Sequence, residues 1–276
     1  MDGIILINKE EKMTSRDVVN MICKKLNTRK VGHTGTLDPI ATGLMVICVN
    51  EGLKLVQLLT GHDKEYIAKV RLGIKTNTYD ITGDIVEIGS INLDKSKLIE
   101  TLNSFVGEYM QEVPLFSSVK VNGKRLYEYA RSNEKVDLPR HLVRINSIEL
   151  LELGNDYFTF KVSVSSGTYI RSLINDIGKK MNVLMTMEEL VRTKVGDYSL
   201  SSASNLDNLK IIPIIDAINI KKVIVSDDSF LKKISNGVKI NNTYGAKMVM
   251  FIKNNKPISI YCEEGSIMKS YRVFNL

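Results

Sequence analysis

The sequence is poor in the residues that cross-link small proteins or ligate metals. Its 276 residues include no tryptophan, three cysteines, three histidines and five prolines. Cys23, Cys48 and Cys262 are odd in number and far apart, which excludes a disulfide framework and fits a reducing compartment. No apolar run reaches the roughly 18–20 residues of a membrane span, and residues 1–4 lack the basic flank of a signal peptide. We therefore expect a globular, cytoplasmic protein without a membrane segment.

Common cofactor and hydrolase motifs are missing as well. The sequence has no GxGxxG fingerprint of dinucleotide-binding proteins, no Gly-Lys-Ser/Thr ending of a phosphate loop and no GxSxG elbow of hydrolases. Its histidines, His33, His62 and His141, and its cysteines do not have the spacing of zinc ligands. These absences favour a site built from Asp, Arg, Tyr and His side chains, with no metal and no cofactor.

The positive charge is concentrated near the C-terminus. The net charge is +7, and residues 221–276 carry ten basic residues against four acidic ones. A basic terminal segment beside a nearly neutral body is typical of a protein that binds a polyanion, most simply nucleic acid. A lysine-rich solubilising surface would give the same charge, so charge alone leaves both interpretations open.

Hydrophobic periodicity predicts a mixture of strands and helices. Strands are expected at 3–8, 44–49 and 66–72, and a pair of strands at 142–164. Helices are expected after Thr14 or Ser15, at 94–106 and at 170–181, with a hairpin turn at Asn122-Gly123. Residues 27–43 are expected to form a loop, and the chain beyond residue 222 mostly short strands with turns. Because strands and helices do not alternate regularly, the α+β class is favoured over a doubly wound sheet.

The least ordinary segment is the loop 32–43 (GHTGTLDPIATG), which lies between two well-defined elements. Its three glycines permit close approach of another molecule to the backbone. Asp38 is the only carboxylate between Asp17 and Glu51. An aspartate before a proline is more often a turn residue than a catalyst, so spacing alone leaves both roles open for Asp38.

Four long motifs in order resemble the family of TruB-type tRNA pseudouridine synthases. They are residues 3–22 (GIILINKEEKMTSRDVVNMI), 30–43 (KVGHTGTLDPIATG), 113–131 (VPLFSSVKVNGKRLYEYAR) and 165–178 (SSGTYIRSLINDIG). The first motif lacks the Pro and Gly that the family usually has after Lys9, and Val191 stands where the family usually has an arginine.

The resemblance implies a fold, an activity and a partner. The fold would be the pseudouridine synthase fold, a mixed, mainly antiparallel sheet with flanking helices, in a catalytic domain at 1–222. Residues 223–276 would be a short, basic, β-rich PUA-like module. The activity would be isomerisation of a T-loop uridine, at position 55 of tRNA, to pseudouridine without a cofactor or metal. The partner would be tRNA, held by its T-arm and acceptor stem, and the protein is expected to act as a monomer.

The resemblance also assigns roles to individual residues. Asp38 would be the catalytic aspartate, Arg171 its cationic partner, and Tyr66 the tyrosine that stacks on the target base. From spacing alone, Arg171 could instead be a solvated helix arginine and Tyr66 a core residue. Tyr169 and Leu190 would line the uracil pocket, His33 would act when the nucleotide is flipped out, and Asp80 would pair with the arginine.

RNA binding beyond the pocket is assigned to basic side chains. Those expected to contact RNA are Lys9 in the first motif and Lys120, Lys124, Arg125 and Arg131 around the predicted hairpin. An alternative from another class also remains open at this point: a non-catalytic RNA-binding or RNA-chaperone protein that keeps the fold. The basic C-terminal segment and the altered first motif favour that alternative, whereas intact Asp38, Tyr66 and Arg171 favour the enzyme.

Overall fold

The structure is a computed structural model that describes residues 1–275. It contains six α-helices: α1 (Ser15–Lys25), α2 (Val56–Thr60), α3 (Lys95–Asn103), α4 (Leu126–Ser132), α5 (Ile170–Met181) and α6 (Asp228–Ser235). The strands are β1 (Gly3–Lys9), β2 (Val31–His33), β3 (Thr42–Val49), β4 (Lys64–Leu72), β5 (Ile74–Thr76), β6 (Ile85–Ile88), β7 (Gly107–Glu112), β8 (Lys120–Val121), β9 (Lys124–Arg125), β10 (Arg140–Leu153), β11 (Tyr157–Val164), β12 (Met185–Val195), β13 (Tyr198–Ser199), β14 (Ile211–Pro213), β15 (Lys221–Ile224), β16 (Ile240–Asn241), β17 (Met248–Lys253), β18 (Lys256–Glu264) and β19 (Ile267–Val273).

A large mixed sheet forms the body of the protein. Its strands run in the order β14-β1-β3-β12-β4-β11-β10-β7, with β2 paired to β3 and β13 to β12. Neighbouring strands are antiparallel except β3 and β12, which pair in parallel where Thr42 faces Val191. The predicted α+β class and the mainly antiparallel sheet are confirmed.

The close parallel pairing of β3 with β12 requires a glycine at position 43. Gly43 has a φ of +102°, and a Cβ there would lie 2.4 Å from the carbonyl oxygen of Arg192. Only a residue without a side chain can adopt that conformation at so close an approach. The glycine that ends the predicted loop therefore brings the loop against β12.

The predicted amphipathic elements are present, and the hydrophobic period of each one matches the face that it buries. The strand β4 buries every second residue from Lys64 to Leu72. Helix α1 begins with a capping box between Thr14 and Asp17, and α5 covers the predicted 170–181. The loop predicted at 27–43 is interrupted by β2, which pairs with β3. This strand has three residues, too few to show a hydrophobic period.

The C-terminal module (residues 221–275) is a second sheet with the order β15-β17-β18-β19-β16. The expectation of mostly short strands with turns holds, and the module also contains the unpredicted α6, a short amphipathic helix that Asp227 caps. Asn236-Gly237 forms the turn that follows this helix. Because β15 starts at Lys221, the boundary expected after residue 222 falls inside its first strand.

The large sheet is buried on both faces near β1 and β3. Ile5 and Ile47 belong to the cluster that packs against α1. On the opposite face, Ile4 and Val46 share a cluster with Met250 of the C-terminal module. Two packed layers therefore hold the ends of β1 and β3, and the loop between β2 and β3 projects from this rigid support.

Candidate active site

A cleft of about 400 Å³ opens beside the loop that joins β2 and β3. Five of the residues assigned to the site by sequence line it: Asp38, Tyr66, Tyr169, Arg171 and Leu190. They come from the loop, from β4, from the start of α5 and from β12. The fold thus brings together residues that are more than 150 positions apart in the chain.

The centre of the cleft is an ion pair between Asp38 and Arg171. Nε of Arg171 lies 2.9 Å from Oδ2 of Asp38, and an Nη atom donates to Oδ1 at 3.2 Å. The Arg171 side chain is 5% exposed, whereas the Asp38 side chain is 35% exposed. This two-point contact fixes the plane of the carboxylate, and its exposed side faces the cleft. Arg171 is therefore not a solvated helix arginine.

A second carboxylate, that of Asp80, steadies the guanidinium from behind. Its Oδ2 lies 3.7 Å from Arg171, and its Oδ1 accepts from the hydroxyls of Thr78 at 2.9 Å and Thr82 at 2.5 Å. The backbone carbonyls of Thr78 and Phe116 accept further Arg171 hydrogen bonds, each at 3.0 Å. Arg171 is thus held by fixed acceptors on several sides, and its position does not depend on Asp38 alone.

Hydrogen bonds from Ser15 and Arg192 hold the loop that carries Asp38. Ser15 of α1 donates to the carbonyl of Leu37 at 3.1 Å and accepts from its N–H at 2.9 Å. The buried Arg192 donates to the carbonyls of Leu44 at 2.6 Å and Gly35 at 3.1 Å. These bonds hold the backbone of a glycine-rich segment that would otherwise be free to move.

A model of the TruB family pseudouridylate synthase N-terminal domain matches residues 23–170. The chain belongs to this family. The protein named tRNA pseudouridine synthase B of Clostridium kluyveri is 39% identical over 288 residues, which cover 99% of this chain and all of that relative. The protein of the same name from Bacillus subtilis is 38% identical over 287 residues, with 95% and 93% covered. The family indicated by the four sequence motifs is confirmed.

Solved structures show the same fold. A chain in the structure of an H/ACA ribonucleoprotein bound to a substrate RNA containing 2′-deoxyuridine aligns with a TM-score of 0.72 and 22% identity, over 99% of this chain and 85% of that one. A chain of a Cbf5–Nop10–Gar1 complex aligns with a TM-score of 0.72 and 23% identity, over 99% and 84%. The predicted pseudouridine synthase fold is therefore confirmed.

Lys9 does not lie where the TruB motif led us to expect an RNA contact. Its side chain is fully buried, and its ammonium donates to the carbonyls of Glu10, Met13 and Pro39 at 2.7–3.2 Å. Burial lowers the pKa of Lys9, while the charge of Asp38 acts in the opposite direction. A phosphate cannot reach this ammonium, so the RNA-binding assignment was wrong. Lys9 instead holds the backbone next to Asp38 through the carbonyl of Pro39.

His33 lies next to the cleft but is not among the residues that line it. It ends β2, half-buried. Burial, together with the charges of Arg192 and Arg16, lowers the pKa of His33. The imidazole is therefore neutral near pH 7, and a role in nucleotide flipping would use an uncharged ring.

The other predicted RNA-binding residues lie in the segment 120–131, which also contributes Tyr127 to the cleft. Lys120, Lys124 and Arg125 belong to the β8–β9 hairpin and Arg131 to α4. The guanidinium carbons of Arg125 and Arg131 lie 6.0 and 5.3 Å from the ring of Tyr127, which itself lines the cleft. Lys124 pairs with Glu134 at 2.7 Å, which leaves the two arginines and Lys120 with greater freedom to meet phosphates.

Lys64 is a buried cation in the cleft wall that sequence reasoning missed. Its ammonium donates to the carbonyls of Thr60 at 2.7 Å and His62 at 2.6 Å and to the hydroxyl of Ser166 at 3.1 Å. Burial, and secondarily the charge of Arg192, lowers the pKa of Lys64 to about 8. The strand was predicted to begin at Tyr66. Had the predicted strand begun at Lys64, its alternation would have placed the Lys64 side chain on the buried face.

Lys64→Met is expected to flatten the pH dependence of stability between about pH 8 and pH 10.5. The folded protein releases the Lys64 proton at a lower pH than the unfolded chain, so the unfolded state binds more protons in this window and stability rises with pH. Denaturant unfolding across the window measures this rise, to which a single such group contributes about 3 kcal/mol. Lys210→Met, which removes an exposed lysine, should retain the rise, and an equal slope in both variants would contradict the assignment.

Two further features concern ligands and membranes. Within residues 1–275, no group of three or more His, Cys, Asp or Glu side chains is arranged to hold a metal ion. None of the helices in the described part of the chain is long and apolar enough to span a bilayer.

Proposed function

We propose that this protein is a tRNA pseudouridine synthase that isomerises the T-loop uridine at position 55 through Asp38, without a cofactor. The observation that carries the proposal is the bidentate Asp38–Arg171 pair at the edge of an open cleft. The relatives named tRNA pseudouridine synthase B, similar over nearly the whole chain, support tRNA as the substrate.

The reaction needs a carboxylate that is held rigidly yet can reach a sugar. Asp38 acts either as a nucleophile or as the base at C2′, and the N1–C1′ bond breaks. The uracil turns over, C5 bonds to C1′, the C5 proton is released and N1, no longer bonded to the sugar, takes up a proton. Substrate and product are isomers, so no electrons are exchanged with a cofactor. Arg171 orients the carboxylate and offsets the cost of removing it from water when RNA covers the cleft.

The cleft suits a single extruded nucleotide. Its volume of about 400 Å³ lies within the roughly 300–1,000 Å³ of small-molecule sites. Tyr66 and Leu190 are almost fully buried in its wall and offer an apolar surface to the base, and Tyr169 lines the same cleft. Extrusion costs a few kcal/mol, which stacking in such a pocket repays.

Most of the affinity must come from phosphates outside the pocket. We assign this binding to Lys120, Lys124, Arg125 and Arg131 in the segment 120–131, with His33 beside the entering nucleotide. The C-terminal module would hold the acceptor stem, because residues 221–276 include ten basic and four acidic residues. Because such contacts release counterions, binding should weaken steeply with salt.

Chemical mapping of pseudouridine in an unmodified tRNA transcript treated with the purified protein tests the proposal. We expect modification at the T-loop uridine, at an unchanged rate after dialysis against a chelator, and none in a transcript with cytidine at that position. A protein that binds the transcript tightly and leaves the uridine unmodified would contradict the proposal and would fit the non-catalytic RNA-binding alternative.

A further inference from the structure

Gln111 forms a two-point contact with the backbone of a cleft residue. It lies on β7, and its side chain is fully buried. Its Oε1 accepts from the N–H of Tyr169 at 2.7 Å, and its Nε2 donates to the carbonyl of Tyr169 at 3.1 Å. Nε2 also donates to the hydroxyl of Tyr109 at 2.5 Å. The side-chain amide thereby pairs with the Tyr169 peptide groups as a neighbouring strand would.

The contact fixes the start of α5, which lacks other caps. Tyr169 is the N-cap residue of this helix and makes no side-chain capping bond. One residue after Gln111, the carbonyl of Glu112 accepts from the hydroxyl of Ser172 at 2.8 Å. The end of β7 therefore holds the first turn of α5 at two points, one on either side of Arg171.

That turn carries two groups of the candidate active site. The ring of Tyr169 lines the cleft, and Arg171 forms the bidentate pair with Asp38. A small rotation of the turn would move both groups together. A buried glutamine can satisfy its hydrogen bonds with any suitable partner. Here, however, both the oxygen and the nitrogen of the amide bond to one residue, the N-cap residue of α5.

We infer that Gln111 is a positioning residue that sets the orientation of Tyr169 and Arg171, and through Arg171 that of Asp38. The inference rests on the proposed reaction at Asp38. It assigns to Gln111 an effect on turnover and not on RNA affinity, because the amide is fully buried and most of the affinity is assigned to phosphate contacts outside the pocket.

Gln111→Glu offers a test with a signature that loss of packing cannot imitate. An ionised carboxylate accepts from the Tyr169 N–H but repels its carbonyl, whereas a protonated carboxyl has the same donor and acceptor pattern as the amide. At about pH 8.5 we expect the single-turnover rate on saturating tRNA to fall about tenfold, with unchanged tRNA affinity. As the pH falls to about 6, the rate relative to the parent should recover to within about threefold, since burial favours the neutral acid.

Gln111→Met is the control for any pH dependence of the rate that does not come from residue 111 itself. The ionisable groups around position 111 include Tyr109 and Glu112 on β7, His141 opposite it on β10, Tyr169 just before α5, and Arg171 and Asp176 on α5. These groups are present in every variant, so the ratio of the Gln111→Met rate to the parent rate should be low and independent of pH. Thr186→Val removes another buried hydrogen bond, to the carbonyl of Ile74, and should lower the melting temperature without lowering the rate.

The possible outcomes separate the inference from the proposed function. A Gln111→Glu rate equal to the parent rate at pH 8.5, a loss that does not recover on acidification, or an equal loss in Thr186→Val would each overturn the inference. If the parent protein forms no pseudouridine, the proposed function fails instead.

Discussion

Replacement of Asp38 with asparagine should reduce pseudouridine formation by at least about a thousandfold, because the group that attacks or deprotonates the sugar is lost. The amide has nearly the same shape as the carboxylate and leaves the cleft open. Arg171 keeps its partners Asp80, Thr78 and Phe116, so its guanidinium should stay in place. Tritium release from tRNA labelled at uridine C5 measures turnover, and a filter-binding titration measures tRNA affinity, which should remain close to that of the parent.

Asp207→Asn is the matched control for this variant. Asp207 is exposed and pairs with Lys25, outside the residues that line the cleft, so this variant should release tritium at the parent rate. An Asp38→Asn protein that turns over as fast as the parent would remove Asp38 from the mechanism. A variant that loses tRNA binding in proportion to its activity would instead show that Asp38 acts in binding.

Elements with a clear hydrophobic period could be predicted from the sequence, and those without one could not. The alternation from Tyr66 to Leu72 and the spacing in 170–181 each fixed an element and its buried face, since burial on one side imposes the period. Helix α6 was missed because its eight residues include only three large apolar side chains, followed by an Asn-Gly pair that also signals a turn. The three-residue strand β2 is too short to carry any period.

The candidate site divides in a similar way. The motifs that resemble the family indicated both Asp38 and Arg171 and their pairing, which the structure contains. What the sequence hid was a set of buried cations, Lys9, Lys64 and Arg192, that bond to backbone carbonyls. Charged side chains are nearly always exposed, so a pattern-based reading places them on the surface. Most of their partners lie in irregular loops, whose carbonyl directions are set only by tertiary structure.

Replacement of Arg171 should have the second largest effect, and it should act on turnover and stability by different routes. Arg171→Met keeps the length of the side chain but leaves the buried carboxylate of Asp80 without its cation and two carbonyls without a donor. Loss of one partner of a buried pair typically costs about 3–5 kcal/mol. We expect the lower end, about 3 kcal/mol in the free energy of unfolding, because the other partner, Asp38, is 35% exposed and water screens its charge.

The two routes can be separated by a double-mutant cycle with Asp80→Asn. In the Asp80→Asn background, no buried carboxylate remains to be left unpaired, so Arg171→Met should cost clearly less stability than in the parent. The rate should still fall by about a hundredfold or more, because Asp38 loses its bidentate partner in either background. Arg171→Lys keeps the charge but not the planar fork, so it should retain more stability than Arg171→Met and still lose most of the rate. Denaturant unfolding and single-turnover tritium release give the two readouts. Additive stability losses would show that Asp80 and Arg171 are not coupled, and a parent-like rate in Arg171→Met would show that Asp38 needs no guanidinium to act.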